Sequence, residues 1–222
     1  MPAKKAMKKT VLSLIFGIFC VVTTFAQISV LPKVGLNLSN VQYKSNHATD
    51  GRRGVVAGLT LGAEVNAKLA GPLSFQTGLL YSGKGWGGRE ELSGRYRLNY
   101  LEIPLMGRAT VDAGPVGIYV NGGFGLGYLL SGHIKGDIGF GGLRAEVDEK
   151  IKFDAKADEP YEMDANRLDL GLLVGGGVNY ELTANTRAFL DLRYNHGLTD
   201  FDREEISKHR TFTIALGMEF SL

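Results

Sequence analysis

The sequence predicts an all-β protein, an eight-stranded antiparallel up-and-down transmembrane β-barrel, and three observations carry that prediction. Apolar and polar residues alternate with period two through eight segments, which is the mark of strands with two unlike faces. The connections between those segments alternate short and long, as in barrels with tight turns on one side of a membrane and larger loops on the other. The segments are preceded by a stretch with the make-up of a secretory signal.

That stretch begins with Lys4, Lys5, Lys8 and Lys9 and continues as a nearly uninterrupted apolar run from Thr10 to Val22. It ends on Thr23-Thr24-Phe25-Ala26 before Gln27. The run is about 13 residues long, where a spanning helix needs roughly 20. The division expected is therefore a cleaved signal peptide over 1–26 and one barrel domain over 27–222. Cys20 lies inside the apolar run behind Phe19, where a lipoprotein signal needs a small residue, which leaves lipid anchoring a minor alternative. Cleavage after Ala26 would leave an exported part with no cysteine and no disulfide.

The 222 residues are 44% hydrophobic and include 31 Gly, too apolar for a disordered chain and too rich in glycine for a helical bundle. Net charge is +2, but without the four leading lysines the 25 basic residues fall to 21 against 23 acidic ones. That balance argues against nucleic-acid binding by bulk charge.

Each strand is read from its two faces. Over 33–41, Val34, Leu36 and Leu38 oppose Lys33, Asn37 and Ser39; over 55–68, Val55, Leu59, Leu61 and Val65 oppose Thr60, Glu64, Asn66 and Lys68. Over 73–82, Leu73, Phe75, Leu79 and Tyr81 oppose Ser74, Gln76 and Ser82; over 97–109, Leu101, Ile103 and Leu105 oppose Tyr100, Glu102 and Arg108. The segment 116–131 sets Ile118, Val120, Phe124, Leu126 and Tyr128 against Tyr119, Asn121 and glycines. The segment 166–182 sets Leu168, Leu170, Leu172 and Val178 against Arg167, Asp169, Asn179 and Glu181. Over 187–198, Ala188, Leu190, Leu192 and Tyr194 oppose Phe189, Asp191 and Arg193; over 211–222, Phe212, Ile214, Leu216 and Phe220 oppose Thr213, Ala215 and Glu219. Short turns fall at Gly71-Pro72, Gly114-Pro115 and Ala184-Asn185, and long polar connections at 42–54, 83–96, 132–165 and 199–210.

Alternation alone does not say which face is wet, and a soluble barrel shares it. Here one face is aliphatic and aromatic throughout, with Tyr81, Tyr128, Tyr194 and Phe212 toward the long loops and Phe75, Tyr180 and Phe220 toward the short turns. Two interfacial girdles have this arrangement. The apolar face is therefore assigned to lipid and the polar face to the lumen.

The lumen then receives Glu64, Glu102, Arg108, Arg167, Asp169, Glu181, Asp191, Arg193 and Glu219, with Lys33, Lys68, Arg97 and Arg187 nearer the ends. Eight strands enclose a space just wide enough for side chains, so these charges are expected to form an ion-paired structural plug. The sharper alternative is a gate whose pairs exchange partners. Glycines such as Gly123, Gly125, Gly127, Gly175 and Gly177 keep two strands thin beside Tyr100 and Phe189. Gly122–Gly127 is not a phosphate loop, because no helix follows it.

The connection 132–165 carries nine acids, but their spacing fits no defined calcium loop. Alternation from Leu143 to Phe153 suggests a hairpin continuing beyond the membrane, with a ten-stranded barrel as the alternative. His47, His133, His196 and His209 fall in or beside the long loops, where His196 with Asp200 and Asp202, or His209 near Ser207, are the pairs a rim enzyme would use. Such pairs are common in polar loops, so the expectation is no enzyme, no metal site and no cofactor.

Tyr100-Leu101-Glu102-Ile103-Pro104-Leu105, the run Asp191–Asp200, Leu216–Phe220 and Pro32–Asn37 together resemble the PorT-like outer-membrane β-barrel family over essentially the whole exported chain. The resemblance implies a small barrel in the outer membrane of a Gram-negative cell, and PorT itself is linked to a secretion and gliding machinery. The function expected is a non-enzymatic anchor. Its external loops would meet ligands, surface polysaccharide or protein partners, its wall would meet outer-membrane lipid and lipopolysaccharide, and no nucleic acid is involved. A narrow pore for small solutes, or a component of a PorT-type secretion complex, is the alternative.

Overall fold

The computed structural model describes residues 27–44, 54–87, 95–140, 143–153, 166–199 and 206–222; the stretch 1–26, read above as a signal peptide, lies outside them. Among the described residues nine strands form: β1 (Ile28–Lys44), β2 (Gly54–Ala70), β3 (Leu73–Gly87), β4 (Arg95–Ala113), β5 (Val116–Phe140), β6 (Leu143–Ile151), β7 (Leu168–Thr183), β8 (Thr186–Gly197) and β9 (Ile206–Ser221). Eight of them close a barrel. Each pairs antiparallel with its neighbour from β1 through β5, β5 pairs with β7, and β9 returns to β1 with Val34 opposite Leu216. Closure satisfies every ladder without leaving an edge in lipid.

β6 is not part of the wall. It pairs with the outer part of β5, from Gly132 opposite Ile151 to Phe140 opposite Leu143. β5 is 25 residues long, more than twice the roughly 9–11 needed to span a bilayer, so its second half rises beyond the membrane as a hairpin with β6. The ten-stranded alternative is therefore set aside, and half of the predicted loop 132–165 is strand.

The wall sides as its alternation predicts. Val120, Leu216, Ile118 and Leu36 point outward with exposures of 57–63%. Exposed apolar residues on each of the eight wall strands make a continuous band that only lipid satisfies. Tyr128, Tyr194 and Phe212 edge it at the long-loop end, and Phe75, Tyr180 and Phe220 at the short-turn end.

At two turns, Gly71 (φ 55°) and Gly114 (φ 63°) supply a left-handed residue directly before a proline. Positive then negative φ is the sign pattern of a II′ hairpin turn, which matches strand twist. Two prolines inside strands are accommodated by gaps in pairing. The β1–β9 ladder skips Leu31 and Pro32, and the β3–β4 ladder skips Ile103 and Pro104 before resuming at Leu80 opposite Glu102. A proline has no N–H to offer there.

The connections 83–96 and 199–210 are shorter than the sequence implied. β3 runs through Gly87, β4 starts at Arg95 and β9 starts at Ile206. These extra residues bring Lys84, Trp86 and His209 into the wall, and each side chain faces inward and is buried.

Candidate functional site

The lumen is filled in three layers. At mid-height four buried side chains form a closed ring of ion pairs: Lys33 Nζ lies 2.9 Å from Glu64 Oε2 and 3.1 Å from Asp191 Oδ2. Arg193 completes the ring, Nη1 to Glu64 Oε1 at 2.8 Å and Nη2 to Asp191 Oδ2 at 2.8 Å. Two cations alternate with two anions, so the ring is neutral, and charge-assisted hydrogen bonds offset the cost of burial. Gln76 donates to Glu64 at 2.7 Å and Tyr119 to Asp191 at 3.2 Å, holding the carboxylates from outside the ring. The alternation of β1, β2 and β8 aims all four side chains at one another, and the small wall residues opposite them leave the room.

Toward the long-loop end lies a second cluster, in which Lys84 bridges Glu102 and Asp169, the latter at 3.0 Å. Thr199 donates to Asp169 at 3.2 Å, and Lys84 stands over the Tyr100 ring. A cavity of about 30 Å³ between the two clusters is lined by Thr60, Ser82, Asn195 and Thr213, enough for one or two water molecules. Above it sits an apolar lid of Val41, Trp86, Leu98, Tyr100, Leu129 and Ile151, with Tyr96 stacked on Trp86 at 4.8 Å between ring centroids. His209 packs in this lid, its ring 5.9 Å from those of both Trp86 and Tyr100.

Toward the short-turn end, Arg108 pairs with Glu219 at 3.5 Å and lies over the Tyr119 ring at 3.8 Å. Below it a polar vestibule of about 160 Å³, lined in part by Asn66, Ser74, Asn179 and Arg187, opens toward the rim.

Of the nine luminal charges read from the sequence, Glu64, Asp191, Arg193, Glu102, Asp169, Arg108 and Glu219 occupy these clusters. Arg167 and Glu181 do not. Arg167 is exposed at the outer end and donates to the Phe153 carbonyl at 3.4 Å. Glu181 is exposed at the other rim, sharing Arg187 with Asp112. Both sit at strand ends, where parity no longer means enclosure. Arg97, placed near the lumen by the sequence reading, has the parity of Leu101 and is exposed on the outer wall.

Two luminal cations were misplaced or missed. The alternation is legible only from position 33, which places Lys33 near a strand end, yet β1 begins at Ile28 and Lys33 lies in the ring. Lys84 falls in the loop 83–96 of the sequence reading, with Gly83, Gly85 and Gly87 around it. The usable signal was that Ser82, Lys84 and Trp86 continue the inward parity. A Cβ on Gly85 would stand against the Tyr96 carbonyl oxygen, so β3 and β4 approach there too closely for a larger residue.

Of the histidine pairs read for a rim site, the structure describes the histidine side chains and not those of their partners. His209 is buried in the lid, and His196 faces outward beside Tyr194, their rings 6.4 Å apart. Asp200, Asp202 and His47 lie outside the described residues, as does the acidic segment 154–165. Among the described residues no group of His, Cys, Asp and Glu is arranged to hold a metal ion.

A closed eight-stranded wall, apolar outside and ion-paired within, defines a small outer-membrane-type β-barrel. The profile of the outer membrane protein beta-barrel domain family matches residues 25–203, and the chain belongs to that family, which places it in the outer membrane. No curated protein matches the chain. Among solved structures its fold is similar to neisserial surface protein A, NspA, at 16% identity over 88% of this chain and 97% of that one, with a TM-score of 0.47. It is similar also to Ail, the attachment invasion locus protein of Yersinia pestis, at 16% identity over 88% and 100% with a TM-score of 0.41. OprG from Pseudomonas aeruginosa matches at 9% identity over 89% and 96%, with a TM-score of 0.46. These likenesses are of fold alone.

Proposed function

We propose that this protein is a non-enzymatic membrane anchor that presents the β5–β6 hairpin and the adjoining loops to ligands, surface polysaccharide or protein partners outside the cell. One observation carries this reading: the lumen is obstructed twice, by the neutral ring around Arg193 and by the lid around Trp86. A solute path would have to break buried ion pairs and then part an apolar layer, and each step is costly. The hairpin, by contrast, is a two-stranded extension continuous with the wall.

Planar-bilayer conductance of the purified protein tests the proposal. Silence from barrels that show heat-modifiable gel mobility is the expected result. Discrete openings altered by Arg193→Gln or Glu102→Gln would replace the anchor with the narrow pore.

The finer resemblance to PorT-like proteins rests on the run Tyr100–Leu105, which is part of a wall strand here. Tyr100 and Pro104 are buried inward, Glu102 meets Lys84, and Ile103 and Leu105 face lipid. Membership of a PorT-type secretion complex predicts a partner that stays with the barrel through detergent extraction and two purification steps. A barrel recovered alone, and secretion unchanged in its absence, would remove that reading.

A further inference from the structure

The outer wall carries its charges at one end. Below the outer girdle, no described outward-facing strand side chain is ionisable apart from tyrosine. Above it, the outward parity changes abruptly to Arg95, Arg97, His133, Lys150 and Arg210, all exposed. Cross-strand register groups them: Arg97 stands opposite His133 and His133 opposite Lys150, one row across three strands. On the other side of the barrel Arg210 sits between Asn40 and His196, two residues above Phe212, which is roughly 7 Å along a strand. Farther out on the hairpin, Asp137 and Glu146 stand opposite each other at register positions of the same parity, and Asp148 is engaged by Lys135 at 3.1 Å.

These side chains point away from the axis, because their neighbours Leu98, Ile134 and Ile151 pack inward in the lid. They therefore stand at the level and on the side where the polar headgroups of the surrounding lipid lie. The long-loop end of such a barrel faces outside, so the headgroups at this height are those of the outer leaflet. At the opposite end no outward-facing strand side chain of the described residues is charged, and at that rim Asp112 and Arg187 pair with each other.

We propose that this basic collar binds the phosphate groups of an anionic glycolipid in the outer leaflet. Arginine offers phosphate a planar pair of donors, and lysine adds a point charge. Side chains held on a β-ladder, with cross-strand neighbours about 5 Å apart, converge on one headgroup without ordering a loop first. Asn99, which donates to Ser131 at 3.0 Å just below the Arg97 row, gives the sugar a neutral polar shelf. The lipid is thereby a bound ligand at a defined place on β4, β5 and β6. This inference concerns the outer wall and stands whether or not the lumen conducts.

Native mass spectrometry of the full barrel released from phosphatidylethanolamine vesicles tests it. One set of vesicles contains bisphosphorylated lipid A and a matched set contains dephosphorylated lipid A. The barrel should retain the phosphorylated form selectively, and retention should fall roughly fivefold for each cation removed in Arg97→Gln and Lys150→Gln. Arg97→Lys should keep most of the binding. Retention by the unaltered protein should also fall as sodium chloride rises, a readout that needs no variant to fold. Equal retention of the dephosphorylated lipid, or full retention by the double variant, would overturn the proposal. Displacement of lipid A by millimolar inorganic phosphate would also overturn it, by making the collar a site for the free ion.

Discussion

Glu64 is a residue on which the luminal ring depends, since it meets both Lys33 and Arg193, the latter through both of its oxygens, and also accepts from Gln76. Glu64→Gln would leave two buried cations facing Asp191, and loss of one partner from a buried pair costs about 3–5 kcal/mol. Urea unfolding in detergent should show that loss, and Lys33→Met in the same chain should return much of it by restoring charge balance. A midpoint unmoved by Glu64→Gln would mean that the ring is not a stabilising element. Glycine gives a second test. A Cβ on Gly217 would come within 2.4 Å of both the Phe189 ring and the Pro32 carbonyl, whereas one on Gly107 has its nearest neighbour at 4.0 Å. Gly217→Ala should destabilise by about 1–3 kcal/mol and Gly107→Ala by under about 0.5 kcal/mol, read from the same transitions. The identity of the ring members was legible at this scale, because parity alone puts Glu64, Asp191 and Arg193 inside. Their partnership was not, since it depends on the registers of β1, β2 and β8.

At the scale of the element, β5 behaves as two pieces. Val116–Tyr128 is clasped by β4 and β7, whereas beyond Gly132 the chain leaves the lipid band and turns back through β6. Removing 135–148 and joining the ends with a short turn should leave barrel closure intact, because every wall ladder survives except the uppermost Arg95–Lys135 pair. Heat-modifiable mobility and recovery in the outer-membrane fraction check this. An unfolded or mislocalised product would show that the hairpin takes part in assembly. The eight wall strands could be read in advance because lipid on one side and packed polar groups on the other impose period two along each of them. Their outer ends could not. Gly83-Lys84-Gly85-Trp86-Gly87 has the composition of a turn, and it becomes strand because β4 pairs with it, Lys84 opposite Leu98 and Trp86 opposite Tyr96. His209 was likewise assigned to a loop, and β1 holds it in a strand opposite Val41.

For the whole molecule, the obstructions in the lumen act in series. Trp86→Ala alone should leave the barrel electrically silent, since the ring below is untouched. Trp86→Ala combined with Arg193→Ala should admit small ions if both layers are barriers, and silence from that folded double variant would show that the remaining side chains fill the gap. The sequence by itself determined the class of molecule: the number of wall strands, the side that faces lipid, the end that carries the loops, and most of the charges that enter the lumen. Each of these follows from the solvent that a side chain meets, and solvent is written into the chain residue by residue. Only the tertiary structure decided which charges meet, that Lys33 and Lys84 are the cations that hold the carboxylates, that Trp86 and His209 close the lumen, and that Arg97 joins His133 and Lys150 on the outside. Those pairings come from strand register and from β-ladders between residues far apart in the chain, and a local pattern of alternation carries no record of either.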